Sequence, residues 1–127
     1  MVLNNILYTQ LLAQARENPR LRQAFDLRTS SNDGSQRMLN ALIPGTEVPI
    51  HRHPLSSETV VILYGHIDEI YYDSEGYEIA RTSLRVGEGI QIPLGQFHTI
   101  QVHEPSIILE VKDGVYAPSK PEDIIVQ

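Results

Sequence analysis

Apolar positions along the chain follow two different periods. Leu3, Ile6, Leu7, Leu11 and Ala15 recur at helical spacing, with Asn4, Asn5, Gln10 and Gln14 on the other side, which predicts an amphipathic helix over 3–15. Pro19 limits its continuation, because the residue before a proline avoids the helical region. A shorter turn is expected through Arg20 to Phe25, and residues 29–36 (TSSNDGSQ) read as a loop. From Arg37 onward the texture changes to short β-rich runs at 37–43, 46–51, 58–64, 66–72, 77–83, 89–93, 98–103 and 106–112. Turn signals separate them, including Pro44-Gly45, Pro54, Gly65, Gly87, Gly95 and Pro105. Many short strands at regular spacing predict an antiparallel sandwich or barrel rather than βαβ units. The expected division is an N-terminal helix and loop over 1–36, a β-barrel over 37–117 and an irregular tail over 118–127.

Composition narrows the class of function. At 127 residues, with 41% hydrophobic and 20% charged, the chain suits one globular domain rather than a disordered segment. No apolar run approaches the roughly 20 residues that span a bilayer, and the first residues do not read as a signal peptide. Cysteine is absent, which excludes disulfides, thiolate zinc sites and cysteine nucleophiles and leans the expected location to the cytoplasm. The net charge of −6 argues against nucleic acid as the main partner. Charge is uneven: residues 1–52 hold six Arg and four acids, while 53–127 hold four basic and twelve acidic residues. An all-Arg set suits bidentate anion contacts, although surface ion pairs are its plainest use.

The chemistry sits in the histidines. His51 and His53 are two apart in an expected strand, so alternation puts both imidazoles on one face. Glu58 follows early in the next strand and can turn toward the same space, with Val60, Ile62 and Tyr64 aligned behind it. Two imidazole nitrogens and a carboxylate suit a divalent transition metal. Further on, the string GEGIQIPLGQFH contains a Pro-x-Gly reversal that can deliver His98 inward from a neighbouring strand. His103 is five residues past His98 and points to the opposite face, and His66 follows Gly65 at a turn, so both are expected away from the metal. Arg52 alternates away from its flanking histidines, toward outer-face packing or ion pairing. Glu110 and Lys112 share a face, as a solvent-exposed pair would.

These residues resemble the cupin superfamily. Gly45, His51, His53, Glu58 and Gly65 fit the first cupin motif, and Gly87, Pro93, Gly95 and His98 fit the second, with Val102 where its final Asn would stand. The resemblance implies a mainly β, jelly-roll barrel (double-stranded β-helix) with an N-terminal helical extension. It also implies one divalent ion, Fe, Mn, Ni, Co or Zn, held by His51, His53, Glu58 and His98. Asn18-Pro19-Arg20, Gln36-Arg37, the run Asn40 to Thr46, the HRHP of 51–54 and Glu110-Val111-Lys112 with Tyr116 resemble the WbuC-type cupins more narrowly. That likeness adds Arg37, Asn40 and Lys112 to Tyr64 as candidate pocket residues and implies a setting in polysaccharide biosynthesis. The Val48-Pro49-Ile50 segment and the ending from Ser119 to Gln127 depart from that group.

The expected function is that of a metal-dependent enzyme on a small polar or sugar-like molecule. Three His and one Glu would leave about two open positions on an octahedral ion. An Fe(II) dioxygenase and a non-catalytic sensor or binding module with a structural metal are the alternatives. No Rossmann or P-loop fingerprint competes, nor any Ser-His-Asp arrangement. The expected partners are a small-molecule ligand and a second copy of the chain, as a homodimer, with no nucleic acid and no membrane. The apolar face of the N-terminal helix would cover either its own barrel or the partner's.

Overall fold

The computed structural model describes residues 1–127. Helix α1 (Asn5–Glu17) starts where the Asn4 side chain accepts hydrogen bonds from the N–H groups of Ile6 and Leu7, at 3.1 and 3.4 Å. That satisfies amides with no partner inside the helix. The helix stops just short of Pro19, with Arg16 in its last turn against the negative end of the dipole. Its buried stripe is Tyr8, Leu11, Leu12 and Ala15, while Leu3 and Ile6 of the expected stripe are exposed. The contact face is therefore set by the i, i+3, i+4, i+7 series that starts at Tyr8. No helix is long and apolar enough to cross a membrane.

Ten strands follow: β1 (Arg22–Asp26), β2 (Ser35–Leu42), β3 (Ile50–His51), β4 (Glu58–Tyr64), β5 (His66–Tyr72), β6 (Glu78–Arg85), β7 (Gly89–Ile92), β8 (Phe97–Val102), β9 (Ser106–Asp113) and β10 (Ile124–Ile125). They form two five-stranded antiparallel sheets, ordered β1-β2-β9-β4-β7 and β10-β3-β8-β5-β6. Period-2 alternation gives each sheet an apolar inner face. Leu42, Val60, Ile62, Ile67, Ile92 and Ile108 meet between the sheets. The outer face of the first sheet, at Leu39, Ala41 and Ile107, is covered by the stripe of α1. The helix thus packs on its own chain's sheet.

The structure departs from the expected division at both ends. The segment read as a turn forms β1, which pairs with β2 from Arg22↔Leu42 to Asp26↔Met38. The tail returns as β10 beside β3, with Ile124 opposite His51. The barrel therefore reaches beyond 37–117 on both sides. The run expected at 46–51 is a strand only over Ile50–His51, and Val48 ahead of it is held through its carbonyl by Thr99 Oγ1 at 2.6 Å. Pro49 lacks the N–H a ladder would need.

Candidate metal centre

Strand register assembles the site. His51 on β3 lies directly opposite His98 on β8. Glu58 on β4 lies opposite Lys112 on β9. His53 follows β3, and its carbonyl accepts the Gly95 N–H at 2.9 Å, which ties the Pro93-Leu94-Gly95 reversal to the histidine segment. The three imidazoles offer ring nitrogens within 4.8 Å of one another. Ring centroids lie 4.3 Å apart for His51–His98, 5.0 Å for His51–His53 and 5.4 Å for His53–His98.

Hydrogen bonds fix which nitrogens are free. His51 Nδ1 donates to the Pro49 carbonyl at 2.8 Å, and His98 Nδ1 donates to the Gln96 carbonyl at 2.9 Å. A carbonyl can only accept, so each Nδ1 carries the proton and each Nε2 keeps its lone pair. His53 Nε2 is buried and has no hydrogen-bond partner. It lies 3.3 Å from Glu58 Oε2, while His98 Nε2 lies 3.7 Å from Glu58 Oε1. The free Nε2 lone pairs of His51 and His98, the unpartnered Nε2 of His53 and the Glu58 carboxylate gather round one buried space that a cation would satisfy. The donor set therefore fits a divalent metal, which His51, His53, His98 and Glu58 would hold.

Electrostatics keep the donors in binding form. Burial, and then the charge His98 would carry, push His51 down to about 4, so its imidazole stays neutral at physiological pH. Burial alone would raise Glu58, but contacts with His53 and His98 and the Lys112 ammonium at 3.3 Å hold it well below the usual carboxylate range. Arg52 points away from the cavity: its Nε donates to buried Asp123 at 2.8 Å and its guanidinium lies 4.8 Å above the Phe97 ring.

A cavity of about 410 Å³ opens beside these donors. Of the expected pocket residues, Asn40 and Lys112 line it, and the Asn40 amide donates to Glu110. Arg37 and Tyr64 do not line it. Alternation along β2 turns Asn40 inward, so Arg37, an odd number of residues away, faces out and bonds Ser35 Oγ at 2.7 Å and Asp33 at 3.3 Å. Tyr64 lies past a register shift in the β4–β9 pairing and is 45% exposed. Glu110, read as half of an exposed pair, faces the cavity instead, and loss of solvent there, with the Glu58 charge, raises its pKa.

Glu69 on β5 was not foreseen. Its side chain lines the cavity at 2% exposure, and neither carboxyl oxygen has a partner. Burial, and then the charges of Glu58 and Glu110, push it up to about 9. The signal was in the alternation: Glu69 stands between inward-facing Ile67 and Tyr71. The folded protein holds this proton from the ordinary 4.5 up to about 9, whereas the unfolded chain has released it. Stability contributed here is lost as pH rises through that window. In the metal-free protein, Glu69→Gln should therefore be increasingly stabilising relative to wild type from pH 5 to pH 9, by at most about 1.4 kcal/mol per pH unit. Melting curves of the two proteins across that range check it; a difference independent of pH would contradict it.

A second histidine group lies on the outer face. His103 Nε2 is 3.0 Å from Asp68 Oδ1, Arg81 is 3.2 Å from Asp68 Oδ2, and His66 Nε2 meets Ser83 Oγ at 2.6 Å. These groups already satisfy one another, unlike the inner donors.

The family model for a domain of unknown function, DUF6016, matches residues 3–84, more than half of the chain. The chain belongs to the DUF6016 family. No curated protein matches its sequence. Solved structures supply the fold. A conserved protein of unknown function from Streptococcus pyogenes, SPY1581, is 20% identical, with a TM-score of 0.66 over 92% of this chain and 90% of that one. A cupin superfamily protein from Desulfitobacterium hafniense is 17% identical, with a TM-score of 0.61 over 72% and 76%. The capsular polysaccharide assembling protein CapF of Staphylococcus aureus is 19% identical, with a TM-score of 0.67 over 85% of this chain and 30% of CapF. This DUF6016 chain has the cupin fold, and its inner histidine group lies where the two sheets enclose the cavity.

Proposed function

We propose that this DUF6016 protein is a metal-dependent enzyme acting on a small polar molecule, with the ion held by His51, His53, Glu58 and His98. One observation supports it above the others: the three histidines converge, with Glu58 beside His53 and His98, on a wall of the 410 Å³ cavity rather than in a sealed knot of side chains. That volume falls in the range of small-molecule sites. A purely structural ion needs no such space beside it. When bound, the ion supplies Lewis acidity at its open positions. The protein's own part is to keep His51 neutral, Glu58 ionised and Lys112 beside Glu58, so that the donors stay fixed while a ligand enters. The likeness to WbuC-type cupins and the CapF fold neighbour support a sugar-like substrate in polysaccharide metabolism as part of the same reading.

The test is whether the ion has positions left for a ligand. Cobalt(II)-loaded protein titrated with azide should change its visible spectrum as the anion coordinates. An unchanged spectrum would mean a closed, structural site and would overturn the enzyme reading. Oxygen uptake by the Fe(II)-loaded form, measured in parallel, would favour dioxygen chemistry over Lewis-acid chemistry.

A further inference from the structure

The cavity has two chemically different ends. On its solvent side the lining includes Arg20, which is exposed, and Arg22, which is half-buried. Arg28, Arg37, Arg52 and Arg81 each have a carboxylate partner, whereas these two cavity-lining guanidinium groups have none. They flank Leu21, whose φ of 55° makes it the sole non-glycine residue with left-handed backbone. The turn is held in place: the Ile43 N–H donates to the Leu21 carbonyl at 3.0 Å, and Thr46 Oγ1 donates to the Arg20 carbonyl at 2.7 Å. At the buried end lies Glu69, with both carboxyl oxygens orphaned. A buried polar group without a partner is expensive and calls for a ligand that completes it.

Resting on the metal-dependent reading above, we infer that the cavity takes a small polyhydroxylated anion, its charged group between Arg20 and Arg22 and a hydroxyl against Glu69. The two ends enforce this polarity. Guanidinium forks bind a carboxylate or phosphate in two-point fashion. The buried Glu69 carboxyl, which keeps its proton, can both donate to and accept from a neutral hydroxyl, and it offers a second anion no charge to pair with. The hydroxyl adds the hydrogen bond that Glu69 lacks, and an analogue without it leaves the carboxyl unpaired.

Three probes of similar length separate the two ends: gluconate carries both features, hexanoate only the charge, and sorbitol only the hydroxyls. In calorimetric titrations of the zinc-loaded full chain, gluconate should bind at least about tenfold tighter than either of the others. The double variant Arg20→Gln, Arg22→Gln should bind gluconate no better than sorbitol while keeping its zinc. Glu69→Leu should weaken gluconate by about tenfold and leave hexanoate unchanged. Equal affinity for hexanoate and gluconate, no gluconate binding at millimolar concentration, or variants that bind it like wild type would overturn the inference. A chain that takes up no zinc would refute the metal reading instead, and the same ranking measured on the metal-free chain would then decide the ligand's polarity.

Discussion

Replacing His98 by alanine is expected to lower the affinity for a divalent ion by more than about 100-fold, beyond the loss typical of a residue that merely supports a ligand. His98 is 2% exposed, its ring is oriented by the Gln96 carbonyl, and its Nε2 is among the three nitrogens that converge. Alanine removes that donor without disturbing the β3–β8 pairing, which runs through backbone. Competition titration against a chelator of known affinity measures the loss. His103→Ala, on the outer face beside Asp68, is the matched control and should bind the ion as wild type does.

The largest loss of stability is expected from Gly65→Ala. Gly65 joins β4 to β5 with φ of 89°, a conformation that costs an L-residue roughly 1 kcal/mol or more. A Cβ there would also collide with the Ser106 side chain and the Pro105 carbonyl, and would lie 2.7 Å from Ser106 Cα. None of these can yield. Ser106 is fully buried, and its Oγ accepts the His66 N–H at 3.0 Å while donating to the Glu104 carbonyl at 2.7 Å. Backbone strain and collision together place the cost at about 3 kcal/mol or more, among the large effects of single substitutions. Thermal unfolding of the variant should show a midpoint lower by roughly 10 °C or more. A midpoint within a degree of wild type would show that the β4–β5 turn relaxes freely.

Gly65 also shows why part of this fold was legible. It entered as a spacing match in a motif, and the structure supplies its reason, the close approach of the turn to the β9 entry. The strands expected at 58–64 and 66–72 coincide with β4 and β5, because alternation and flanking turn residues act together there. β1 was missed because RQAFD offers a single large apolar residue, Phe25, whose partner is the outer face beneath α1. β10 was missed because two residues carry no period, and its place depends on Asp123 reaching Arg52 across the chain. The histidines were legible through motif spacing and resemblance rather than strand alternation, since β3 ends at His51 and His53 lies just past it, tied to the Gly95 N–H through its carbonyl. Arg37 was misplaced because resemblance was followed where parity with Asn40 forbade it. Glu69 and Glu110 were passed over because acids in a strand usually face water, although their even spacing from Ile67, Tyr71 and Ile108 turned them inward.

The most direct test of the central claim is a crystal structure of the protein loaded with zinc, with anomalous difference maps recorded on either side of the metal edge. The donor arrangement predicts a single strong peak within roughly 2.0–2.3 Å of Nε2 of His51, His53 and His98 and of a Glu58 carboxylate oxygen. A peak between His66, Asp68 and His103 with none in the cavity, or no peak at full zinc occupancy of the solution, would contradict it.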